Sequence, residues 1–299
     1  MSSRTDFMPV QYIEKFSTVQ DSIPQWPIEE AIAIVRDSLK SEKKLDYEEV
    51  FETIDPVAIG SASIGQVHKA VLKEKWVNAD PQYTGGRDIA IKVMHPDAKK
   101  RFTCDFQVCR WLFRVAMPGW TVILDELERR LMTEFDYHNE ASSLRTVRTN
   151  LMKSPYRKRV QVPQPMACLT CKHLLVMELL QGKKLVDAIE DKLSEVLGSN
   201  KEKAHELLVA KEKEVLFGEN KSQGNENSLM EIFNLHGIGG VVRAMKGLSL
   251  YRKINKYVDL LVDVHGHQIF QDATFNGDPH AGVRLTYRWY KVCWFLLAL

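Results

Sequence analysis

Three features of the sequence predict an α+β fold built on a small antiparallel sheet. Residues 55–96, DPVAIGSASIGQVHKAVLKEKWVNADPQYTGGRDIAIKVMHP, hold three strand-like runs separated by turn residues. Apolar residues recur at helical spacing on both sides of that stretch, at 27–40 before it and at 96–120, 123–151 and 248–275 after it. Helices thus surround a small antiparallel sheet, the arrangement of an α+β chain.

Composition sets outer bounds. A chain of 299 residues buries one large core or two modest ones. At 44% hydrophobic and 27% charged it reads as an ordinary globular sequence. A net charge of +2 gives no electrostatic case for nucleic acid. Five cysteines in no regular pattern suggest a reducing compartment. Cys168 and Cys171 form one CxxC with no second pair, better read as two semi-buried thiols than as a zinc half-site or redox pair. The first residues lack the apolar core of a signal peptide, and no run of about 18 apolar residues encodes a membrane span.

Within the sheet, the first strand ends in a turn of small residues, Gly60, Ser61, Ala62 and Ser63. The second strand is IGQVHKAVL, and the third, DIAIKVM, places Lys92 in an apolar run. Small residues at such a turn let backbone N–H groups approach a phosphate, and a lysine on a neighbouring strand supplies the counter-charge. An ordinary meander with a lysine snorkelling at its edge fits the same pattern. The 75–87 link, rich in Asn, Asp, Pro and Gly, reads as a long hairpin loop.

The helices follow in order. One with Tyr12, Ile13, Phe16 and Val19 on a face precedes another starting at Pro27, with Ile28, Ala31, Ile34, Val35 and Leu39 inward. The 96–120 helix should bury Phe102, Phe106, Cys109, Leu112 and Phe113 and end at Pro118-Gly119. One long helix is expected over 123–151, with Leu124, Leu127, Leu131 and Phe135 continued by Ala141, Leu144, Val147 and Leu151. On it Glu134 and Glu140 would stand roughly 120° apart, so both cannot meet Lys92. Residues 160–180 suggest two short strands, and 188–231 a solvated helix followed by a flexible loop. The 248–275 helix should bury Leu250, Ile254, Tyr257, Leu261, Val264 and Ile269.

ASIGQVHKA followed by IAIKVMHP, with TEFDYHNEA, LLVMELLQG and FNGDPHAG further on, resembles the UbiB/AarF family of atypical kinase-like proteins, also called the ABC-one family. The resemblance runs from Asp6 to about Gly282. It implies a kinase-like fold: residues 1–50 as the family's N-terminal helical extension, 51–180 as the N-lobe, 181–282 as a partial C-lobe ending at the catalytic-loop motif, and 283–299 as a tail unlike the family. It also implies ATP and Mg²⁺ as cofactors. Lys92 and Glu140 would form the strand lysine–helix glutamate pair, and Gly60, Ser61, Ala62 and Ser63 the alanine-rich-type loop over the phosphates, Gly60 standing where many relatives carry alanine. Met177, Glu178 and Leu179 would line the adenine pocket, while Glu134 and Asp136 would engage metal or the lysine of the family's KxGQ segment. Asp278 corresponds to the catalytic-loop aspartate.

The chain departs from the family pattern in places. No KxGQ segment precedes residue 6. In F-x-x-D-P-H-P-G-N the asparagine holds a metal ion, and here that position is Val283, whose alkyl side chain offers no oxygen. After Gly282 the abrupt change to VRLTYRWYKVCWFLLAL suggests read-through or a mis-joined gene model, and the family's later metal-binding aspartate is not encoded. Three readings follow. The first is an ATPase or kinase-like protein linked to isoprenoid-quinone or lipid metabolism, working with lipid or quinone-pathway proteins or at a membrane surface, in mitochondrion or plastid. The second is a catalytically dead pseudokinase acting as an interaction module. The third is a truncated, non-functional product.

Overall fold

The structure, a computed structural model, describes residues 25–61, 64–198, 202, 237–274, 284–285 and 292–293. The helix expected around Tyr12–Val19, residues Ala62 and Ser63, the 203–236 stretch, Asp278 and Val283 lie outside them. The chain divides into two compact units, one formed mainly by Ile23–Gln181 and the other mainly by Gly182–Gln271.

The first unit is organised on a four-stranded antiparallel sheet, β1 (Phe51–Ser61), β2 (Gly65–Leu72), β3 (Asp88–Met94) and β5 (Leu174–Glu178), in the order β1-β2-β3-β5. The short strand β4 (Val160–Gln161) precedes β5. β3 is central, and all of its residues except Asp88 are buried. Side chains alternate across a strand, so Ile89, Ile91 and Val93 share one face and Ala90, Lys92 and Met94 the other. The first face packs with Ala31 and Val35 of helix α1 (Ile28–Ser38) and with Leu39 of the π-helical turn that continues it, Leu39–Lys43. Pro27 leads into α1, and Glu29 and Glu30 sit in its first turn, where acids complement the N-terminal dipole. Each fully buried aliphatic side chain there contributes about 1.5–3 kcal/mol.

A single helical turn, α2 (Tyr47–Val50), leads into β1, and another, α3 (Glu74–Val77), opens the long β2–β3 link where only loop was expected. The register from Gly65 opposite Met94 to Val71 opposite Asp88 is uninterrupted, and it sets Lys92 between Val67 and Leu175.

Two of the helical expectations are corrected. Helix α4 (Ala98–Ala116) buries Phe106 and half-buries Phe102 and Phe113, but Cys109 and Leu112 are exposed. The expected single helix over 123–151 is two: α5 (Thr121–Met132) and α6 (Tyr137–Lys153), with a 3₁₀ turn, Thr133–Phe135, between them. Asp136 is extended (φ −139°, ψ 102°), and its carboxylate accepts the His138 N–H at 3.0 Å, capping α6. That break removes the helical geometry on which Glu134 and Glu140 would stand about 120° apart. Of the α5 stripe Leu124 and Phe135 are buried while Leu127 is exposed; Ala141, Leu144, Val147 and Leu151 on α6 are all buried.

In the second unit, β6 (Lys183–Lys184) pairs antiparallel with β7 (Arg284–Leu285). Helix α7 (Leu185–Leu197) packs on α8 (Gly237–His267). Leu250, Leu260 and Val264 are buried on α8, Ile254, Tyr257 and Leu261 half-buried, so the seam passes through Leu260. Ile269, expected inward, is exposed on the following π-helical turn. Among the described residues no helix is long and apolar enough to cross a membrane.

Candidate functional site

Lys92 lies on the face of β3 that α6 covers. Its side chain has no solvent exposure, which excludes the snorkelling surface lysine. The ammonium donates to both carboxylate oxygens of Glu140, at 2.8 and 2.7 Å, and stands 5.0 Å from the centroid of the Tyr137 ring. Tyr137 and Glu140 are three residues apart on α6 and so share a face. A buried ammonium needs a partner because desolvation alone costs several kcal/mol, and here a carboxylate and an aromatic face provide it.

Tyr137 is the residue that the sequence reading missed. It is wholly buried, and its hydroxyl has no hydrogen-bond partner among the described residues. Burial first, then the negative charges of Glu140 and Glu134, push that hydroxyl well above its ordinary value, so it stays protonated and remains a donor. The signal was its place three residues before Glu140 in TEFDYHNEA, a helical neighbour of the ion pair.

The hydroxyl reaches Gly65, the first residue of β2. A Cβ there would crowd Tyr137 Oη and fall 2.6 Å from the Val93 carbonyl oxygen, so only glycine fits. Across the turn, Ser61 pairs with Gln66, and the Ser61 hydroxyl is also buried without a partner among the described residues. Two hydroxyls without a partner among the described residues therefore lie at this end of the sheet, Tyr137 Oη at Gly65 and Ser61 on the strand position opposite Gln66. At Gly60 a Cβ would meet nothing within 4 Å, so alanine is sterically acceptable there.

The other expected site residues are placed as follows. Met177 is buried. The Glu178 carboxylate is held by Arg148 (3.2 Å), Gln161 (3.0 Å) and the Gln164 N–H (3.2 Å), and the Glu178 N–H donates to the Gln164 carbonyl (2.8 Å). Glu178 and Leu179 border a concavity of about 590 Å³ with Val71, Gly86, Arg87, Asp88 and Gln181. Asp88 is four residues from Lys92 along β3, roughly 13 Å. Asp136 caps α6, and Glu134 acts electrostatically on Tyr137. Among the described residues no three acidic, histidine or cysteine side chains group as a metal site. Burial raises both thiols of the CxxC pair, Cys171 to about 11, so neither is a reactive thiolate.

A family model described as the ABC1 atypical kinase-like domain matches residues 18–216, well over half of the chain. The match ends before Asp278, so the likeness of that motif rests on its own residues. The Arabidopsis thaliana protein named activity of bc1 complex kinase 8, chloroplastic, is 30% identical over 194 residues, covering 62% of this chain and 23% of that one. The Xenopus laevis AarF domain-containing protein kinase 1 is 25% identical over 185 residues, covering 60% and 32%. A solved structure of Rv3197 with erythromycin, from Mycobacterium tuberculosis, superposes with a TM-score of 0.49 at 18% identity, over 98% of this chain and 57% of that one. The aligned part thus spans a quarter to a third of the length of these two curated relatives. The antiparallel sheet, the buried lysine–glutamate pair and the family match agree, and the chain belongs to the ABC1 atypical kinase-like family.

Proposed function

We propose that the first unit binds ATP, with its phosphates at the β1–β2 turn and with Lys92 as the fixed cation beneath them. The carrying observation is the ion pair of Glu140 with the fully buried Lys92, together with two buried hydroxyls, Ser61 and Tyr137, that have no partner among the described residues. Phosphate oxygens are acceptors, which suits two protonated hydroxyls and an ammonium. Backbone N–H groups around Gly60, Ser61, Ala62 and Ser63 are the further donors of this reading, and Met177, Glu178 and Leu179 its base-side wall. Mg²⁺ typically keeps several waters and takes one or two carboxylates besides the phosphates, so Glu134 and Asp136 are chemically suited to it. When bound, it would neutralise phosphate charge. Asp278 is the candidate to orient a nucleophile. In a complete protein the activity would be ATP hydrolysis or kinase-like transfer serving isoprenoid-quinone or lipid metabolism, in plastid or mitochondrion. Names such as "chloroplastic" in Arabidopsis relatives support the plastid.

A second reading, nucleotide binding without hydrolysis, is favoured by Val283, an alkyl group where the motif places a metal-holding asparagine. The test is ATP-dependent thermal stabilisation with and without Mg²⁺, beside a phosphate-release assay. ATP at ten times its Kd adds about 1.4 kcal/mol, a rise of roughly 3 °C for a chain of this size. The double variant Lys92→Met/Glu140→Leu removes both charges and should lose that rise. Equal stabilisation of the variant would place the nucleotide elsewhere. Stabilisation without phosphate release selects the second reading.

A further inference from the structure

Residues 141–159, ASSLRTVRTNLMKSPYRKR, carry six arginines and lysines and no acid, and the next acid after them is Glu178. The whole chain has a net charge of +2, so this is a local excess. Arg148 is used internally, donating to the Val162 carbonyl (2.6 Å) and to Glu178 (3.2 Å). Arg145, Lys153, Arg157, Lys158 and Arg159 are exposed, and none has a side-chain hydrogen bond or ion pair among the described residues. Other arginines of this unit do find acids: Arg36 pairs with Glu48, Arg87 with Glu52, Arg110 with Asp125 and Glu128 across the α4–α5 hairpin, and Arg129 and Arg130 with Glu126. The turn that presents the cations is ordered. The buried Ser154 hydroxyl donates to the Leu151 carbonyl (2.7 Å) and accepts the Tyr156 N–H (3.1 Å), and the Arg159 and Val160 N–H groups both reach the Tyr156 carbonyl (2.8 and 3.0 Å). A lysine in the last turn of α6 complements the helix dipole, which accounts for Lys153. Arg157, Lys158 and Arg159 lie past the helix, where no such account applies.

We propose that this end of α6 docks an acidic segment of a partner protein, one that mixes carboxylates with apolar side chains. Guanidinium forks pair with carboxylates bidentately, and here two of them flank a lysine on a turn already held in place, so little ordering is left to the partner. Met152, 57% exposed, stands seven residues after Arg145 and so on the same side of α6, where it offers an adaptable apolar contact between cations. That contact is what favours a protein segment over the other polyanions. Single-stranded nucleic acid needs open aromatic platforms, and the only aromatic residue of 141–159, Tyr156, is half-buried. Met152 is also the one large apolar side chain exposed between Arg145 and Arg159, too little to hold the surface in lipid. Glu140 and Lys153 are thirteen residues apart on α6, about 20 Å, so the surface is separate from the Lys92–Glu140 pair.

The experiment is fluorescence anisotropy of the full chain with a fluorescein-labelled peptide of three Glu-Glu-Leu-Glu repeats. The peptide should bind, and less tightly as salt rises from roughly 0.02 to 0.3 M and screens the arginines. Arg157→Gln/Lys158→Gln/Arg159→Gln should weaken it ~10-fold or more, with a urea midpoint equal to wild type because all three side chains are exposed. Met152→Ser should weaken the Glu-Glu-Leu-Glu peptide more than one of Glu-Glu-Ser-Glu repeats. Arg129→Gln/Arg130→Gln, which removes exposed arginines already paired with Glu126, should leave the affinity unchanged. Unchanged affinity in the triple variant overturns the proposal. So does an equal loss in the Arg129/Arg130 variant, which would make the binding a response to net charge. Tighter binding of a twelve-residue polyuridine or of phosphatidylglycerol vesicles than of the peptide also overturns it, and would make nucleic acid or lipid the occupant.

Discussion

Helices α6 and α4 make similar statements in sequence and meet opposite fates. Both carry an apolar stripe at helical spacing: Ala141, Leu144, Val147 and Leu151 on α6, Val108, Trp111, Leu112 and Val115 on α4. The α6 stripe is buried beside a strand face that holds a lysine, and the α4 stripe is exposed. Periodicity gives the direction of a face but not what waits opposite it. On α6 the destination is written into β3. Lys92 demands a carboxylate, Glu140 supplies it, and the apolar residues around Glu140 close over the pair. No such charge fixes the end of α4, and the charges that bind its lower half to α5 leave the tip open.

Breaking the ion pair should produce the largest effect. Glu140→Ala strands an ammonium that has no solvent exposure, and stranding one member of a buried pair costs about 3–5 kcal/mol. The midpoint of urea unfolding reads this directly. Lys92→Met/Glu140→Leu should recover most of the loss, because well-packed apolar residues often replace a buried pair at little cost. A loss below about 1 kcal/mol for Glu140→Ala would mean that water reaches Lys92.

Two glycines of the same turn region come next. Gly65→Ala pushes a methyl group against the Val93 carbonyl, 2.6 Å away, and against Tyr137 Oη. A backbone oxygen yields little, and overpacking of this kind costs about 1–3 kcal/mol. Gly60→Ala meets open space and should be neutral, or stabilise by up to about 1 kcal/mol through the unfolded chain. In thermal melts Gly65→Ala should fall while Gly60→Ala holds or rises; similar losses would show that the turn is packed differently.

How much of this was legible follows from the kind of signal each element carries. β1, β2 and β3 were readable because turn residues separate three short strand-like runs and the Ile-Ala-Ile-Lys run is a local pattern, and the Lys92–Glu140 contact because TEFDYHNEA resembles a known motif. The break at Asp136 was hidden by a stripe that continues across it with a small drift. The local clue was there: an aspartate followed by a periodic run is a capping signal. Tyr137 escaped because a tyrosine on an apolar face ordinarily reads as core, and its unmet hydroxyl exists only once Gly65 and β3 surround it. The open faces of Cys109 and Leu112 escaped because exposure is set by elements far away in sequence.

Tyr137→Phe tests that hydroxyl with a smaller effect of opposite sign. A buried hydroxyl without a partner costs about 1–3 kcal/mol, and Tyr137 has none among the described residues, so its removal should stabilise the ligand-free protein by about 1 kcal/mol. The variant also carries a pH signature. Burial, with Glu140 and Glu134 beside it, holds the folded Tyr137 hydroxyl above its unfolded value near 10. The folded state therefore keeps a proton that the unfolded state releases. That contribution is fully present below pH ~10 and is lost at up to about 1.4 kcal/mol per unit as pH rises further. Tyr83, pushed up to about 12 by burial, adds a similar slope in both proteins, so the difference between wild type and Tyr137→Phe isolates Tyr137. Parallel stability curves above pH 10 would refute the buried hydroxyl.

The smallest expected change is at the hairpin tip, and its smallness is the point. Val115→Ser and Val122→Ser shorten apolar side chains already about three-quarters in water, at 70% and 75% exposure. Little apolar surface returns to solvent, so unfolding free energy should stay within about 0.5 kcal/mol of wild type, as at ordinary surface positions. If Val122→Ser cost about 1–3 kcal/mol in urea unfolding, the tip would be buried against protein in solution. The contrast between α4 and α6 would then be one of partners and not of exposure. If the change is small, the two helices differ in what they face: α6 is closed by a protein surface and the tip of α4 stands open to solvent.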